Sequence, residues 1–475
     1  MSQSSFGLVV PDDLALFTDR YELAMMQGYF ASGHNPTSTF SVYFRSLPPK
    51  RGYAIAAGLE QVIDYVDSLT FDERALAYLA EQGFDADFLS YLTSFEFTGD
   101  IRALPEGTLV FPNEPVLEVT APILQAQLFE TLILNQVGYQ TLVATKAARM
   151  ADVVRREGED QQLIDFGSRR AHGTDAGLKA PRSAYIGGFD GTSNLLAGER
   201  YGIPTYGTMA HSWVQCFESE RASFEVFADV HGDDSVFLVD TYDTVRGAER
   251  AVAVAEERDV RLGGVRLDSG DLIELSKSVS EVVGNAEIVV SSGVDEYFLR
   301  EFFEAGGVAT SFGPGTALTA STDAPDSGVV YKLTAVERDG ELEPSMKLSP
   351  GKVTYPGRKE VYRAERDGSY VCDVLGVPDE ERVETEETNG NRADEERTDE
   401  EHAVEEQLVT IVEDGSLVYD LPALETIRDR ARREIERLPE PHRRIRDPEP
   451  YDVRISDELE SITRRTEAAL RDREL

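Results

Sequence analysis

Residues 236–271, VFLVDTYDTVRGAERAVAVAEERDVRLGGVRLDSGD, contain the pattern that decides the fold. Two short apolar runs, Val236–Val239 and Gly264–Leu267, are separated by a segment whose alanine, valine and charged residues favour a helix. Each run ends directly in aspartates accompanied by serine, threonine or glycine. A strand, a helix and a second strand in this order predict two parallel strands with polar residues at their carboxyl ends.

The same pattern occurs seven times along the chain. The apolar runs are Leu163–Phe166, Ile186–Phe189, Ile203–Tyr206, Val236–Val239, Gly264–Leu267, Ile288–Val290 and Ala309–Phe312. Seven strand–helix units in about 150 residues predict an α/β protein whose parallel sheet closes into an irregular seven-stranded barrel. An open, doubly wound sheet is compatible with the same pattern. In a barrel the active site lies at the carboxyl ends of the strands, where the polar residues of this chain are concentrated.

Both ends of the sequence predict an additional, sandwich-like α/β domain. We expect residues 1–135 to form an N-terminal α/β domain and residues 136–335 to form the barrel. Residues 336–475 are expected to form a C-terminal segment that packs on the N-terminal domain. Residues 379–407 are rich in Glu, Asp and Arg with almost no apolar side chains, which predicts a solvated acidic loop.

Charge is the most unusual feature of the composition. The chain has 47 Lys and Arg against 88 Asp and Glu, a formal net charge of −41, and only eight of the basic residues are lysines. Such a charge repels itself at low ionic strength, whereas molar salt shortens the Debye length to about 3 Å. We therefore expect a halophilic source, with an acidic protein of an ordinary cytoplasm as the alternative. Because the sequence has no basic stripe, nucleic acid and anionic membranes are not expected as partners.

The remaining composition indicates a cytoplasmic protein. The two cysteines, Cys216 and Cys372, form neither a disulfide framework nor a metal-binding Cys-x-x-Cys pair. No apolar stretch approaches the roughly 18 residues of a membrane span, and Met1–Pro11 has no signal-peptide pattern.

The residues after the predicted strands favour binding of anions. In Phe312–Thr316 two glycines, Gly313 and Gly315, and the hydroxyl of Thr316 follow a strand, so backbone N–H groups can approach a phosphate. A simple turn is the alternative for this segment. Arginine offers a planar fork of donors that matches carboxylate or phosphate. Three arginines follow other predicted strands or precede their last residue: Arg169, Arg170 and Arg266.

Acidic residues and one histidine occupy other strand ends. Carboxylates beside arginines suit either a hydrated Mg²⁺ or ribose hydroxyls, although solvated aspartates are common in so acidic a chain. His211 is one of six histidines and follows the strand predicted at Ile203–Tyr206. No Walker A loop, Cys/His metal cluster, Gly-x-Ser-x-Gly elbow or dinucleotide fingerprint is present, which argues against the enzyme classes that use them. The aspartates are Asp240, Asp243, Asp268 and Asp271.

These segments are long motifs that resemble those of the nicotinate phosphoribosyltransferases. The resemblance extends over residues 16–359 and resumes at 442–456. It implies an α/β N-terminal domain joined to a type II phosphoribosyltransferase barrel. It also implies an enzyme of NAD salvage that joins nicotinate to the ribose 5-phosphate of phosphoribosyl pyrophosphate (PRPP). The motifs are Leu16–Met25 (LFTDRYELAM), Phe166–Ala171 (FGSRRA), Gly187–Asn194 (GGFDGTSN), Gly207–Ser212 (GTMAHS), Leu238–Thr244 (LVDTYDT), Val265–Asp271 (VRLDSGD) and Phe312–Thr316 (FGPGT).

The resemblance also implies roles for individual residues. Arg266 and Asp268 would act in catalysis, and His211 would be phosphorylated by the co-substrate ATP. Mg²⁺ would accompany PRPP and ATP, with no protein ligand assigned to it. A homodimer with shared active sites is implied, in which Tyr21 reaches across to the partner. The nicotinate-binding residues would be Tyr21 and Phe166, on the two faces of the ring, with Arg169, Ser193, Thr208 and Arg266. The PRPP-binding residues would be Arg169, Asp240, Gly313, Gly315 and Thr316.

Two other functions stay open. Nicotinamide phosphoribosyltransferases share the fold, but in them an aspartate follows the Gly-Thr that corresponds to Gly191-Thr192. Ser193 stands in that place here. A carboxylate there would repel nicotinate, whereas a hydroxyl can donate to it. A non-catalytic sensor of PRPP or nucleotides would keep the phosphate loop but would not need His211.

Overall fold

The computed structural model describes residues 9–159, 161–348, 354–380, 383, 385 and 403–474. The chain divides into two compact units. The first consists of Met1–Thr141, Asp326–Ala423 and Arg433–Leu475, and the second of Leu142–Pro325 and Leu424–Arg432. The domain boundaries at residues 135 and 335 stay predictions.

The described residues form short strands and helices of very different lengths. The strands are β1 Thr37–Phe44, β2 Ala54–Ile55, β3 Asp100–Ala103, β4 Leu109–Val110, β5 Pro115–Pro122, β6 Gln162–Asp165, β7 Gly191–Thr192, β8 Val236–Leu238, β9 Gly264–Leu267, β10 Glu287–Ser291, β11 Ser311–Gly313, β12 Val329–Arg338, β13 Glu341–Pro344, β14 Glu360–Arg366, β15 Ser369–Gly376, β16 Ala403–Glu406, β17 Val409–Glu413, β18 Ser416–Leu417 and β19 Val453–Ile455. The α-helices are α1 Arg20–Ser32, α2 Leu59–Ser68, α3 Glu73–Glu81, α4 Ala86–Leu92, α5 Ile123–Ala126, α6 Glu130–Glu157, α7 Thr174–Ile186, α8 Leu195–Tyr201, α9 His211–Gln215, α10 Glu220–His231, α11 Thr244–Glu257, α12 Leu272–Val283, α13 Glu296–Glu304, α14 Thr316–Thr319, α15 Leu424–Arg437, α16 Glu440–Arg443 and α17 Asp457–Glu474. Short 3₁₀ helices are Pro11–Leu16, Gln127–Phe129, Ser168–Arg170 and Gly232–Asp234.

A six-stranded parallel sheet forms the centre of the second unit. Its strand order is β7-β6-β11-β10-β9-β8. The first strand of the unit, β6, therefore pairs with the last strand, β11. A parallel bridge joins Thr192 of β7 to Thr205. A closed barrel also has its first strand beside its last, so this order is compatible with a barrel. The predicted α/β class is confirmed. No strand pairing joins β8 to the Thr205 segment in the described part of the chain, so closure into a seven-stranded barrel stays a prediction.

One of the seven predicted strands is wrong in its position, and another is reduced to a single bridge. Ile186 is the last residue of α7, and the two-residue strand β7 begins only at Gly191. The run Ile203–Tyr206 contributes the single bridge at Thr205. A four-residue apolar run has the same composition at the end of a buried helix as in a strand, which explains the error at Ile186–Phe189.

The first unit is built around a seven-stranded sheet with the order β13-β12-β1-β5-β3-β17-β18. Strand β1 is buried along almost its whole length between β12 and β5, both antiparallel to it. Phe40 of β1 stacks on Tyr331 of β12 with ring centroids 4.7 Å apart. The buried carboxylate of Glu118 accepts a hydrogen bond from Ser41 (2.6 Å) and pairs with Nζ of Lys359 (3.3 Å). This buried carboxylate is therefore paired, as burial requires.

A smaller sheet, β16-β14-β15-β19, also belongs to the first unit. Its edge strand β16 occupies the last part of the acidic loop predicted at 379–407, so the loop prediction extends too far. Residues 381, 382, 384 and 386–402 of that prediction lie outside the described residues. In the described ranges, every helix is too short or too polar to cross a membrane.

Candidate active site

Polar side chains at the carboxyl ends of β8, β9 and β10 meet around Arg266 in the second unit. Nη1 of Arg266 donates to Oγ1 of Thr208 (3.2 Å) and to the carbonyl of Met209 (3.3 Å). Its Nε donates to Oγ of Ser291 (2.8 Å), and Nη2 donates to Oδ1 of Asp268 (3.0 Å). These contacts hold the guanidinium in one orientation. A planar cation fixed in this way suits recognition of a carboxylate or phosphate.

Asp268 is held in its ionised form. Its Oδ1 accepts a hydrogen bond from Oγ of Ser291 (2.6 Å) in addition to that from Arg266. Burial opposes ionisation, but the Ser291 hydrogen bond and the charge of Arg266 outweigh it and lower the pKa of Asp268. Oδ2 of Asp268 lies 3.7 Å from Nε2 of His211. The carboxylate therefore connects the arginine to the histidine.

His211 is the first residue of the short helix α9. Its Nδ1 lies 3.2 Å from Oγ1 of Thr241, and its Nε2 faces Asp268. The side chain is 39% exposed, so the ring is accessible from solvent. An imidazole oriented by a neighbouring carboxylate is typical of histidines that act as nucleophiles or in acid–base catalysis.

Asp240 supports the turn after β9. Its Oδ2 accepts hydrogen bonds from the backbone N–H of Asp268 (3.0 Å) and from Oγ of Ser269 (2.6 Å). Its Oδ1 is buried and receives no hydrogen bond from the described residues. No cluster of three His, Cys, Asp or Glu suited to a metal occurs in the described ranges. The free oxygen of Asp240 therefore fits a Mg²⁺ ion carried by phosphates, which needs only one or two carboxylates, better than a metal bound by protein alone.

The four strand-end aspartates differ in role. Asp243 and Asp271 accept hydrogen bonds from backbone N–H groups of α11 and α12, at 3.0 and 3.2 Å, and cap these helices. Asp240 and Asp268 belong to the cluster around Arg266 instead. Helix capping therefore accounts for Asp243 and Asp271, and neither residue needs a ligand to explain its place at a strand end.

An aromatic ring lies beside the guanidinium. Cζ of Arg266 is 5.6 Å from the ring centroid of Phe166, the residue after β6. The backbone N–H of Phe166 donates to the carbonyl of Pro314 (2.9 Å). A Cβ at Gly313 would come within 2.3 Å of the Phe166 ring, and one at Gly315 would lie 3.3 Å from the Phe166 carbonyl oxygen. The glycines therefore let the predicted PRPP loop approach the predicted nicotinate residue.

The loop after β7 brings Ser193 to the same end of the sheet. The backbone N–H of Ser193 donates to the carbonyl of Asp165 (2.9 Å), and its side chain is exposed. Gly191 packs under Tyr206, whose ring would lie 2.5 Å from a Cβ at that position. Ser193 therefore belongs to a loop packed on the segment that leads to Thr208.

Three of the predicted residues are exposed on the surface of their own unit. Arg169 and Thr316 are exposed, and their side chains form no hydrogen bond or ion pair with the residues that the structure describes. Tyr21 lies in the first unit, where its hydroxyl donates to Oε2 of Glu130 (2.9 Å) and 47% of the residue is exposed. Burial and the neighbouring Glu130 carboxylate raise the pKa of Tyr21, so the phenol stays neutral.

Sequence reasoning missed two members of the cluster, Ser291 and Thr241. Ser291 is the last residue of β10, and Thr241 follows Asp240 just beyond β8. Their position at strand ends is the signal that could have identified them, because polar residues there face the same site in parallel sheets.

Comparison with known proteins identifies the family. The model of the nicotinate phosphoribosyltransferase N-terminal domain matches residues 16–138, the family model matches 161–378, and the C-terminal domain model matches 358–463. A nicotinate phosphoribosyltransferase of Mycobacterium tuberculosis is 42% identical over 461 residues, covering 94% of this chain and 92% of that protein. The chain belongs to the nicotinate phosphoribosyltransferase family.

Other nicotinate phosphoribosyltransferases agree with this assignment. The Bacillus subtilis enzyme is 39% identical over 474 residues, covering 94% of each chain. The crystal structure of human nicotinic acid phosphoribosyltransferase matches with a TM-score of 0.80 at 29% identity, covering 94% of this chain and 99% of that one. The family resemblance of the sequence motifs is therefore confirmed.

In this member of the nicotinate phosphoribosyltransferase family, the lowered pKa of Asp268 predicts a pH-dependent stability. Because the folded pKa lies below the unfolded value of about 3.9, Asp268 stabilises the fold at pH values above the unfolded pKa. This stabilisation is lost as the pH falls through the folded pKa. Asp268→Asn, which does not titrate, should therefore be less stable than the wild type at pH 7, by a margin that shrinks at low pH. Urea unfolding in molar salt from pH 7 to pH 3 measures the margin, and a constant margin contradicts the prediction.

Proposed function

We propose that this chain transfers the 5-phosphoribosyl group of PRPP to nicotinate, forming nicotinate mononucleotide and diphosphate while ATP is hydrolysed to ADP and phosphate. The observation that carries the proposal is Arg266, fixed by Thr208, Ser291 and Asp268 beside the ring of Phe166. Nicotinate has the two features that such a site recognises, a flat aromatic ring and a planar carboxylate.

The chain's residues would act by positioning and by charge stabilisation. The ring nitrogen of nicotinate attacks C1 of the ribose as the bond from C1 to the diphosphate oxygen breaks, so no protein nucleophile is needed. The transition state resembles an oxocarbenium ion, and the rate of the transfer reaction depends on the alignment of the two substrates. Phe166 would orient the ring, while Arg266 and the hydroxyls of Thr208 and Ser193 would hold the carboxylate. Asp268 would keep Arg266 in place.

PRPP would bind where the loop after β11 meets Phe166. Backbone N–H groups at Gly313 and Gly315 and the hydroxyl of Thr316 suit its 5-phosphate, and the exposed Arg169 is available for its charged groups. Asp240 would hold Mg²⁺ or a ribose hydroxyl through its free Oδ1. When bound with PRPP, Mg²⁺ supplies charge that stabilises the departing diphosphate.

ATP would act through His211. Asp268 and Thr241 orient the imidazole from its two nitrogens, and the ring is accessible to a phosphoryl donor. Hydrolysis of the resulting phosphohistidine would be coupled to product formation. The histidine would therefore supply energy coupling, a role separate from bond formation between nicotinate and ribose.

A direct assay tests the proposal. Purified protein is incubated with PRPP and either nicotinate or nicotinamide, with and without ATP. We expect mononucleotide from nicotinate, stimulated by ATP. Turnover of nicotinamide alone would favour the nicotinamide enzyme, and binding without turnover would favour a sensor.

A substitution at Ser193 tests whether the substrate is nicotinate, an acid, or nicotinamide, an amide. We predict that Ser193→Asp weakens nicotinate use at least tenfold, about 1.4 kcal/mol, because it places a like charge near the substrate carboxylate. Ser193→Asn has nearly the same shape without the charge and is the matched control. The nicotinate KM is measured for both variants. An unchanged KM in Ser193→Asp places Ser193 outside the nicotinate site.

We propose further that the enzyme is a homodimer with shared sites. Tyr21 of one protomer would lie against nicotinate opposite the partner's Phe166. In support, Tyr21 is an aromatic residue left half-exposed on α1, with a neutral phenol. An aromatic pair around the ring would orient its nitrogen toward the ribose.

We also propose that the protein is cytoplasmic. We propose in addition that it is adapted to high salt, because its net charge is −41. The protein should lose thermal stability and activity when NaCl is diluted from molar to low millimolar concentration, since self-repulsion is then unscreened. Sucrose at the same osmolality should not replace the salt. Melting temperatures are compared in the three solutions. Equal values at low and high salt contradict the proposal.

A further inference from the structure

A buried carboxylate lies beneath the candidate site, at the end of β6. Asp165 is 0% exposed. Its Oδ1 accepts a hydrogen bond from the backbone N–H of Gly167 (2.8 Å), and its Oδ2 accepts one from Oγ1 of Thr192 (2.9 Å). Neither donor is charged, and Asp165 forms no ion pair with any described residue. A buried carboxylate without a cation is costly to maintain, so its presence calls for an explanation.

The partners of Asp165 belong to separate substrate loops. Gly167 begins the turn between Phe166 and Arg169, which are predicted to bind nicotinate and PRPP. Thr192 precedes Ser193, whose own backbone N–H donates to the Asp165 carbonyl (2.9 Å). One residue therefore fixes the loops after both β6 and β7.

A third loop reaches the same carboxylate. Burial raises the pKa of Asp165, and the neighbouring Thr319, the last residue of α14, is one of the groups that oppose the rise. A Cβ at Gly167 would come within 1.7 Å of Oγ1 of Thr319, so the turn after β6 is packed directly on α14. Helix α14 begins at Thr316 of the predicted phosphate loop.

We propose that Asp165 is a positioning residue that holds three substrate loops in register: the Phe166 turn, the Ser193 loop and the Thr316 helix. The inference rests on the proposed function, because it assigns nicotinate and PRPP to these loops. Asp165 would touch neither substrate. Its acceptor oxygens would align the two binding sites, and misplacement of reacting groups by about 1 Å can cost about 100-fold in rate.

The test compares three variants in the full-length protein in molar salt. Asp165→Ala removes both acceptors and should lower kcat/KM for nicotinate and for PRPP at least tenfold. Asp165→Asn keeps one acceptor for Gly167 and can donate to Thr192, so it should recover most of the lost activity. Asp190→Ala is the control, because Asp190 accepts a backbone hydrogen bond from Leu163 (2.9 Å) and pairs with Arg428 (2.6 Å) at the amino ends of β6 and β7, the opposite ends from the three loops.

The comparison separates positioning from simple stability. All assays are run below the onset of melting measured for each variant. Folded Asp165→Ala with kcat/KM within twofold of the wild type overturns the inference, as does an equal loss in Asp190→Ala. A wild type that fails to turn over nicotinate and PRPP refutes the proposed function instead.

A milder variant covers the case in which Asp165→Ala does not fold. Thr192→Val is nearly isosteric and removes the donor to Asp165, together with the acceptor of the Asn194 backbone N–H (3.1 Å), so kcat/KM should fall about fivefold for both substrates. In the Asp165→Asn background the same change should have a smaller effect, since the two residues act through one contact. Additive effects of the two substitutions overturn the inference.

Discussion

Arg266→Ala should lower kcat/KM for nicotinate by about 100-fold or more. Losing one partner of a buried, hydrogen-bonded charge pair costs about 2–5 kcal/mol, and 2.7 kcal/mol corresponds to about 100-fold. Only 12% of the Arg266 side chain is exposed, and its removal leaves Asp268 without its cation. The carboxylate would then repel the nicotinate carboxylate as well, so the nicotinate KM should rise more than the PRPP KM.

Two further variants define the role of the guanidinium. Arg266→Lys keeps the charge but cannot reproduce four donor contacts, so it should restore only part of the activity. Arg200→Ala, which removes an exposed arginine near the end of α8, is the control and should leave kcat/KM unchanged. The prediction fails if steady-state kinetics of Arg266→Ala show a nicotinate KM close to that of the wild type.

His211→Ala should abolish nicotinate-dependent ATP hydrolysis, a loss of more than about 100-fold, while some ATP-independent transfer remains. The reason is the proposed division of labour, in which the imidazole accepts the phosphoryl group and other residues bind the substrates. Incubation with ATP labelled in its terminal phosphate should give an acid-labile label on the wild type and none on the variant.

His231→Ala is the control for this experiment. His231 ends α10 and packs on Phe227 with ring centroids 4.1 Å apart, outside the Arg266 cluster. Its loss should leave both the label and the coupled hydrolysis intact. Coupled ATP hydrolysis that persists in His211→Ala removes the phosphohistidine from the proposed mechanism.

The parts of the fold that the sequence predicts are those with local signals. Strand β9 has the predicted bounds, and β8 and β10 differ from prediction by one or two residues, because each is a short apolar run bounded by polar residues. The run Ile186–Phe189 carries the same signal at the end of a helix. Sheet closure depends on pairing between distant segments, which periodicity does not encode.

The candidate site was predictable to a similar degree. Motifs identify Arg266, Asp268 and His211, and the structure brings these three together. Without the family resemblance, the residue pattern does not separate Asp268, which supports the arginine, from Asp271, which caps a helix, because both are aspartates after one strand. Asp165 was also missed, since its role depends on three loops that meet only in the folded chain.

The pairing of β1 with β12 sets a constraint on synthesis by the ribosome. The carbonyl of Thr39 accepts a hydrogen bond from Thr334, 295 residues later in the chain. At 5–20 residues per second, about 15–60 s separate the emergence of these two strands. During this interval one edge of β1 has no neighbour, while Leu142–Pro325, the larger part of the second unit, emerges and can fold. Unpaired strand edges recruit other chains, so the nascent first unit is where aggregation would begin and where a chaperone would be needed most.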